Sequence, residues 1–234
     1  DKDTEITFTA VSESGYKVDT WTINPASALQ EGGTAGSSTA KVKISAATTV
    51  NVSFTKNGYT VTFDAKGGTP VPAAQTVKYK EKATKPSPEP TKEGHTFDGW
   101  YNKAGDSPWN FAVNEVTGNT ELYAKWRINT YPVTFGTPAN GTLKAELAGT
   151  VITSGKPVEY GKTVTFTATP ATGYRVKGWT LDVFAVTGTA ETYTLTVTKA
   201  CKVTVSFEPK KAFLTLEAGK NTVKVKAKTA DGKP

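Results

Sequence analysis

A motif ending in tryptophan recurs along this chain at a fixed interval. "GYKVDTW" closes at Trp21, "GHTFDGW" at Trp100 and "GYRVKGW" at Trp179, so successive tryptophans stand 79 residues apart. So regular a period is the signature of repeated modules, each a small packed unit. The middle copy holds the chain's single histidine, His95, close to Asp98. Alone, that pairing suggests a chemical site; the other two copies argue against one. His95 takes the place of Tyr16 and Tyr174, so a ring replaces a ring, and Asp98 takes the place of Asp19 and Lys177. An acid replaced by lysine in a sister copy reads as a surface residue, and the histidine reads as a structural one.

The copies extend beyond the motif. "ITFTAVSESGYKVDTWTIN" (6–24) matches "VTFTATPATGYRVKGWTLD" (164–182) at a constant offset, and each leads through a variable segment to two strand-like runs ending at Phe54 and Phe207. The middle copy opens with "YTVTFDAKGG" (59–68) and closes with "TELYAKW" (120–126), while the third opens with "YPVTFGTPANG" (131–141). "VKY" (77–79) in the middle copy corresponds to "VEYG" (158–161) in the third. Modules are therefore expected at 1–56, 57–127 and 128–209. A tail, 210–234, has two strand-like runs about "EAGKN" and reads as the start of a further β domain. The first copy has no counterpart of the opening strand pair, so the chain is expected to begin inside a module, as a segment of a longer precursor.

The elements are expected to be strands. Val164, Phe166 and Ala168 alternate with threonines, and Val50, Val52, Phe54 and Val203, Val205, Phe207 repeat the pattern. Period-two alternation marks strands with one buried face. No long stretch has helical period; "NFAVNEV" (110–116) has room for one helical turn. The proline-rich "KPSPEPTKEG" (85–94) lies inside the middle module and reads as an extended crossing segment. Within the motif, Val18, Phe97 and Val176 precede the tryptophan by an odd number of residues, which switches faces unless a bulge intervenes; Gly99 and Gly178 are placed for one.

Modules of about 70–80 residues are marginal, because so small a domain leaves much of its surface wet. One tryptophan removes roughly 150–250 Å² from water. Trp21, Trp100 and Trp179 are therefore expected as core anchors, joined by Trp126, Phe54 and Phe207.

The marks "VTFD", "GG", "P-P-KEG-TFDGWY", "WNF" and "LYAKW" over residues 59–126 resemble the Listeria–Bacteroides repeat, also called the internalin B-repeat. Residues 1–55 and 131–207 resemble its divergent form, most clearly in "VTFTATPATGYRVKGW". The resemblance implies a mainly β chain of tandem, small β-grasp-like modules in an elongated arrangement. It also implies a place on secreted or surface-anchored bacterial proteins and brings no catalytic residues with it.

The residues offer little chemistry of their own. One histidine and one cysteine do not make the usual zinc patterns, and neither a nucleophile elbow nor a phosphate-binding loop is written. Cys201 sits in step with Val203 and Val205 and reads as a small buried hydrophobe. The net charge of +7 comes almost wholly from lysine, with arginine only at 127 and 175, which does not favour nucleic-acid recognition. No apolar run approaches the roughly 18 residues of a membrane span. No catalytic residue, metal or cofactor is expected, and the chain is expected to be monomeric and not inserted in a membrane. Binding falls to exposed rings. Trp109, in the loop-like "AGDSPWNF" and without a counterpart in the other modules, is the candidate ligand contact, with Tyr101 beside it. The expected role is a stalk and adhesion segment of an extracellular surface protein, touching a host or matrix protein or glycan. The alternative is a set of carbohydrate-binding modules of a secreted glycan-degrading protein.

Overall fold

Threonine and valine in alternation build strands almost everywhere. The computed structural model describes residues 3–218 and 223–229, with side chains over 3–211. Among these the only helical element is a 3-10 turn, Ala26–Ala28. None of the described helices is long and apolar enough to cross a membrane. The chain divides into two compact units, one of residues 1–92 and 97–126, the other of 93–96 and 127–234.

In the first unit, β1 (Thr4–Thr9), β2 (Tyr16–Asn24), β3 (Leu29–Gly32), β4 (Thr39–Ile44) and β5 (Thr49–Lys56) form module one. They make a three-stranded sheet, β1-β4-β3, and a separate antiparallel pair, β2-β5. Module two contains β6 (Gly58–Asp64), β7 (Gln75–Lys78), β8 (His95–Asn102), β9 (Ser107–Pro108) and β10 (Thr120–Ile128), in a single sheet ordered β7-β6-β10-β8-β9. The central strands β6 and β10 run parallel, with Val61 opposite Thr120. A parallel pair needs a long crossover, and here it is made of extended and turn segments instead of a helix. Those segments supply the second layer: Ala83 and Val116 join Val61, Phe63, Trp100 and Leu122 in the buried cluster, and Trp109 and Phe111 pack against it.

In the second unit, β11 (Thr130–Phe135), β12 (Gly141–Leu147), β13 (Thr150–Val151), β14 (Lys156–Glu159), β15 (Thr163–Pro170), β16 (Tyr174–Leu181), β17 (Phe184–Val186), β18 (Thr192–Thr196) and β19 (Cys201–Pro209) form module three. It has two sheets, β14-β11-β19-β16-β17 and β13-β12-β15-β18. One core, built around Phe166, Trp179, Val133, Val164 and Val203, draws on both. Cys201 belongs to that core. Two further strands, β20 (Ala212–Ala218) and β21 (Val223–Thr229), pair antiparallel. The expected "EAGKN" turn between them falls mostly outside the described residues.

The odd spacing inside the motif is accommodated as bulges. The β16–β19 register shifts between Val176 and Gly178, and the β2–β5 register shifts between Val18 and Trp21. Val176 and Trp179 are thereby both buried.

The three tryptophan positions are not equally enclosed. Trp100 is 2 % exposed and Trp179 3 %, whereas Trp21 is only half-buried. Phe54, expected as a core anchor, is 42 % exposed, while its counterpart Phe207 is half-buried and packs against the module-three core. The sheet topology gives the reason. β10 has β6 as a parallel partner and β19 has β11, but among the described residues β5 pairs with β2 alone.

Candidate functional site: an aromatic cleft in the middle module

Trp109 owes its position to a short hairpin. Ser107 and Pro108 pair with Asn102 and Tyr101, and the Trp109 N–H donates to the Trp100 carbonyl at 2.7 Å. The segment then closes one hydrogen-bonded turn, with the N–H groups of Val113 and Asn114 donating to the Asn110 carbonyl at 3.0 and 2.8 Å. Asparagine side chains fix both ends of it: Asn110 Oδ1 accepts the Ala112 N–H at 2.9 Å and Asn114 Oδ1 accepts the Asn110 N–H at 2.7 Å. Asparagine does this well because its side chain mimics a backbone turn. The turn expected at 110–116 is therefore present, as a single turn, and it delivers Trp109 and Phe111 to the core.

A cleft of about 920 Å³ lies at this place. Its aromatic lining comes from Phe97, Trp100, Trp109 and Phe111, and its charged lining from Lys85, Glu89 and Asp98. Lys85 and Glu89 form an ion pair at 2.5 Å across the proline-rich crossing segment. The rings also hold one another. Phe63 meets Trp100 edge-on at 5.0 Å between centroids, Phe97 meets Trp100 at 5.7 Å, and Phe111 stacks on Phe63 at 6.5 Å.

The indole N–H groups set this module apart. Trp21 donates to the Ser37 carbonyl at 2.8 Å, Trp179 to the Ala190 carbonyl at 2.9 Å and Trp126 to the Ala65 carbonyl at 2.9 Å. The Nε1 atoms of Trp100 and Trp109 are buried without a hydrogen-bond partner. A buried donor left unpaired costs about 1–3 kcal/mol. Both of these indoles border the cleft, so the middle module carries its polar cost where its aromatic surface opens.

Chemically the cleft suits apolar stacking with polar contacts at its edge, the usual composition of a small-ligand site. Its titratable side chains are Lys85, Glu89 and Asp98. His95 lies outside its lining, with Nδ1 2.8 Å from the Glu93 carbonyl. Burial pushes the Cys201 thiol above its ordinary value, which favours its protonated form. No group of three metal-ligating side chains occurs among the described residues.

Tyr101 does not share the cleft. One residue beyond Trp100 on β8, it pairs with Tyr123 at 6.0 Å, under Lys125 Nζ at 4.3 Å from its ring, while the Tyr123 hydroxyl donates to Asp106. Period-two geometry separates neighbours on a strand, so the two candidate contacts belong to different surfaces. Trp126 is a half-buried structural ring: it lies against Gly68, where a Cβ would overlap the indole, and Lys92 Nζ stands 6.0 Å from it. That contact explains the second glycine of "AKGGTP". Reasoning from sequence did not find Lys85, Glu89, Phe97 or Phe111 as cleft residues. For Phe111 a signal existed, since the "WNF" triplet sets it two residues from Trp109.

Comparison with known proteins agrees with this architecture. The profile of the Listeria-Bacteroides repeat domain matches residues 59–125, and that of the Divergent InlB B-repeat domain matches residues 1–58 and 133–211. A provisionally named Gly-rich membrane protein of Evansella cellulosilytica is 44 % identical over 80 residues, 34 % of this chain and 9 % of that protein. A second provisionally named membrane protein of the same organism is 36 % identical over 128 residues, 54 % of this chain and 18 % of its own length. Internalin H of Listeria monocytogenes is 41 % identical over 86 residues, 36 % of this chain and 15 % of its own length. The matches thus span less than a fifth of these relatives. No solved structure matches the chain.

Proposed function

Because the chain belongs to the Divergent InlB B-repeat family, with a Listeria-Bacteroides repeat as its middle module, we propose that it serves as a non-catalytic spacer and adhesion segment of a bacterial surface protein. One observation carries the reading. The motif that recurs at a fixed interval places its tryptophan in the core in modules two and three, where it supports the fold and presents no reacting group. The relatives support the location, being named as membrane proteins and an internalin. Weak contacts repeated along several modules gain by multivalency. The role is tested by displaying a reporter on a bacterial surface with and without residues 1–209 between anchor and reporter. The segment is expected to raise antibody access to the reporter several-fold; equal access would count against a spacer.

A second reading rests on the cleft. Its rings and the adjoining Lys85, Glu89 and Asp98 fit a glycan, whose C–H faces stack on aromatic rings and whose hydroxyls take polar contacts. The full chain and Trp109→Ala are to be tested against glycans, mucin and matrix proteins at low and at physiological salt. Binding that persists in salt and is lost with Trp109 supports the cleft. Binding lost with salt alone points to the lysines, since screening acts on exposed charge.

A further inference from the structure

Three glycines, Gly15, Gly94 and Gly173, open the three tryptophan motifs, and all three have positive φ, at 83°, 68° and 82°. Around two of them the same constellation is assembled. In the first unit the Gly15 carbonyl accepts the Asn57 N–H at 2.8 Å, and the Asn57 carbonyl accepts the Tyr79 N–H at 2.9 Å. In the second unit, which includes residues 93–96, the Gly94 carbonyl accepts the Asn129 N–H at 2.9 Å, and the Asn129 carbonyl accepts the Tyr160 N–H at 2.8 Å. Tyr79 and Tyr160 are the residues that close "VKY" and "VEY".

Each tyrosine lies on its glycine. A Cβ at Gly15 would overlap the ring of Tyr79, and a Cβ at Gly94 would overlap the ring of Tyr160. Further contacts hold each ring. Tyr79 meets Tyr16 edge-on at 6.0 Å and Tyr59 at 6.3 Å. The Tyr160 hydroxyl donates to Glu93 at 2.5 Å, and the Thr96 hydroxyl donates to Asn129 Oδ1 at 2.6 Å. Gly15 is buried and Gly94 half-buried. The third copy has only the backbone part: the Gly173 carbonyl accepts the Lys210 N–H at 2.8 Å, the glycine is exposed, and among the described residues nothing lies within 4 Å of where its Cβ would stand.

We infer that this constellation is an interaction surface between consecutive repeats. The glycine turn of one module is a socket, and the ring that fills it is the tyrosine directly after β7 or β14, the edge strand paired with the opening strand of the next module. A flat ring can approach the backbone this closely only where there is no Cβ, and the left-handed turn excludes most other residues as well. The asparagine between them uses both its backbone groups, one toward each side, so a single residue links socket and ring. The exposed pair Lys56–Glu81, at 3.3 Å, spans the first junction too but contributes little. This coupling rests on the spacer reading for its purpose, not for its geometry.

The test is amide hydrogen exchange in the full chain. In Tyr79→Ala the amides of Asn57 and of position 79 are expected to exchange roughly tenfold faster, because local opening no longer has to displace a packed ring. Tyr79→Phe keeps the ring and is expected to stay within about twofold of the parent. The amides of Val61 and Leu122, in the module-two core, report whether the module itself still folds. Should Tyr79→Ala unfold it, Gly15→Ala against Gly173→Ala decides. Both place a Cβ at positive φ, but only the first meets a ring, so a much larger loss at Asn57 in Gly15→Ala than at Lys210 in Gly173→Ala is expected. Unchanged exchange at Asn57 in Tyr79→Ala, or equal losses in the two glycine variants, would overturn the inference. Neither result depends on the reporter-access experiment, so the coupling and the spacer role can fail separately.

Discussion

Tryptophans written alike in the sequence differ in what their N–H groups do. Trp21 and Trp179 donate to loop carbonyls, whereas Trp100 keeps an unpaired buried N–H beside that of Trp109. Replacing Trp109 by alanine removes one orphan donor along with a half-buried ring. It is expected to destabilise the chain by less than Trp100→Ala, which empties a fully packed site at about 3–5 kcal/mol. Denaturant titration of the two variants checks the order. Cys201 gives a second residue-level expectation. Its thiol is buried and pushed above its ordinary value, so a thiol reagent at pH 8 should leave the native chain unlabelled and label it fully in denaturant. Prompt native labelling would contradict that placement. The burial of Cys201 could be read from its step with Val203 and Val205. The missing hydrogen bonds of Trp100 and Trp109 could not, since they depend on where distant carbonyls fall.

At the scale of elements, alternation located the strands and odd spacing located the bulges. It did not show which strands would lack a partner. Phe54 alternates with Val50 and Val52 as Phe207 does with Val203 and Val205, yet among the described residues β5 has β2 alone beside it and Phe54 stays exposed. Burial of a strand face depends on what lies across it, which local periodicity does not encode. Two turns carry predictions. Asn110→Ala removes the acceptor for the Ala112 N–H and should cost about 1 kcal/mol, with a change in Trp109 fluorescence as the 110–114 turn loosens. Asp182 accepts the Lys202 N–H at 2.9 Å and faces Lys199 at 3.4 Å. The Lys202 N–H, with help from Lys199, holds its carboxyl below the ordinary aspartate value. A carboxylate lowered by folding stabilises the fold above its unfolded value, and the contribution is lost as pH falls through the lower, folded value. Asp182→Asn should therefore differ from the parent at pH 6, the difference shrinking from about pH 4 downward. Thermal melts across that range give the comparison.

At the scale of the molecule, one motif is used three times with different completions. Module three closes it between two sheets, and module two closes it with a sheet and connecting segments that also form the aromatic cleft. Module one leaves it half-open, with no parallel partner for β5 among the described residues. The period of 79 residues made the repetition legible at once. The cleft was legible only through Trp109, because Lys85, Glu89 and Phe97 reach it from separate segments of the sequence. The repeated tryptophan is architectural, and recognition falls to the module-two cleft beside Trp109, which Trp100 borders and Trp21 and Trp179 do not. Denaturant unfolding of the full chain and of Trp179→Ala, each with native binding to the same ligand panel, separates the two roles. A loss of about 3–5 kcal/mol from the module-three transition is expected, with module-two binding unchanged under native conditions. Unaltered stability together with lost binding would show that the motif is a recognition site instead.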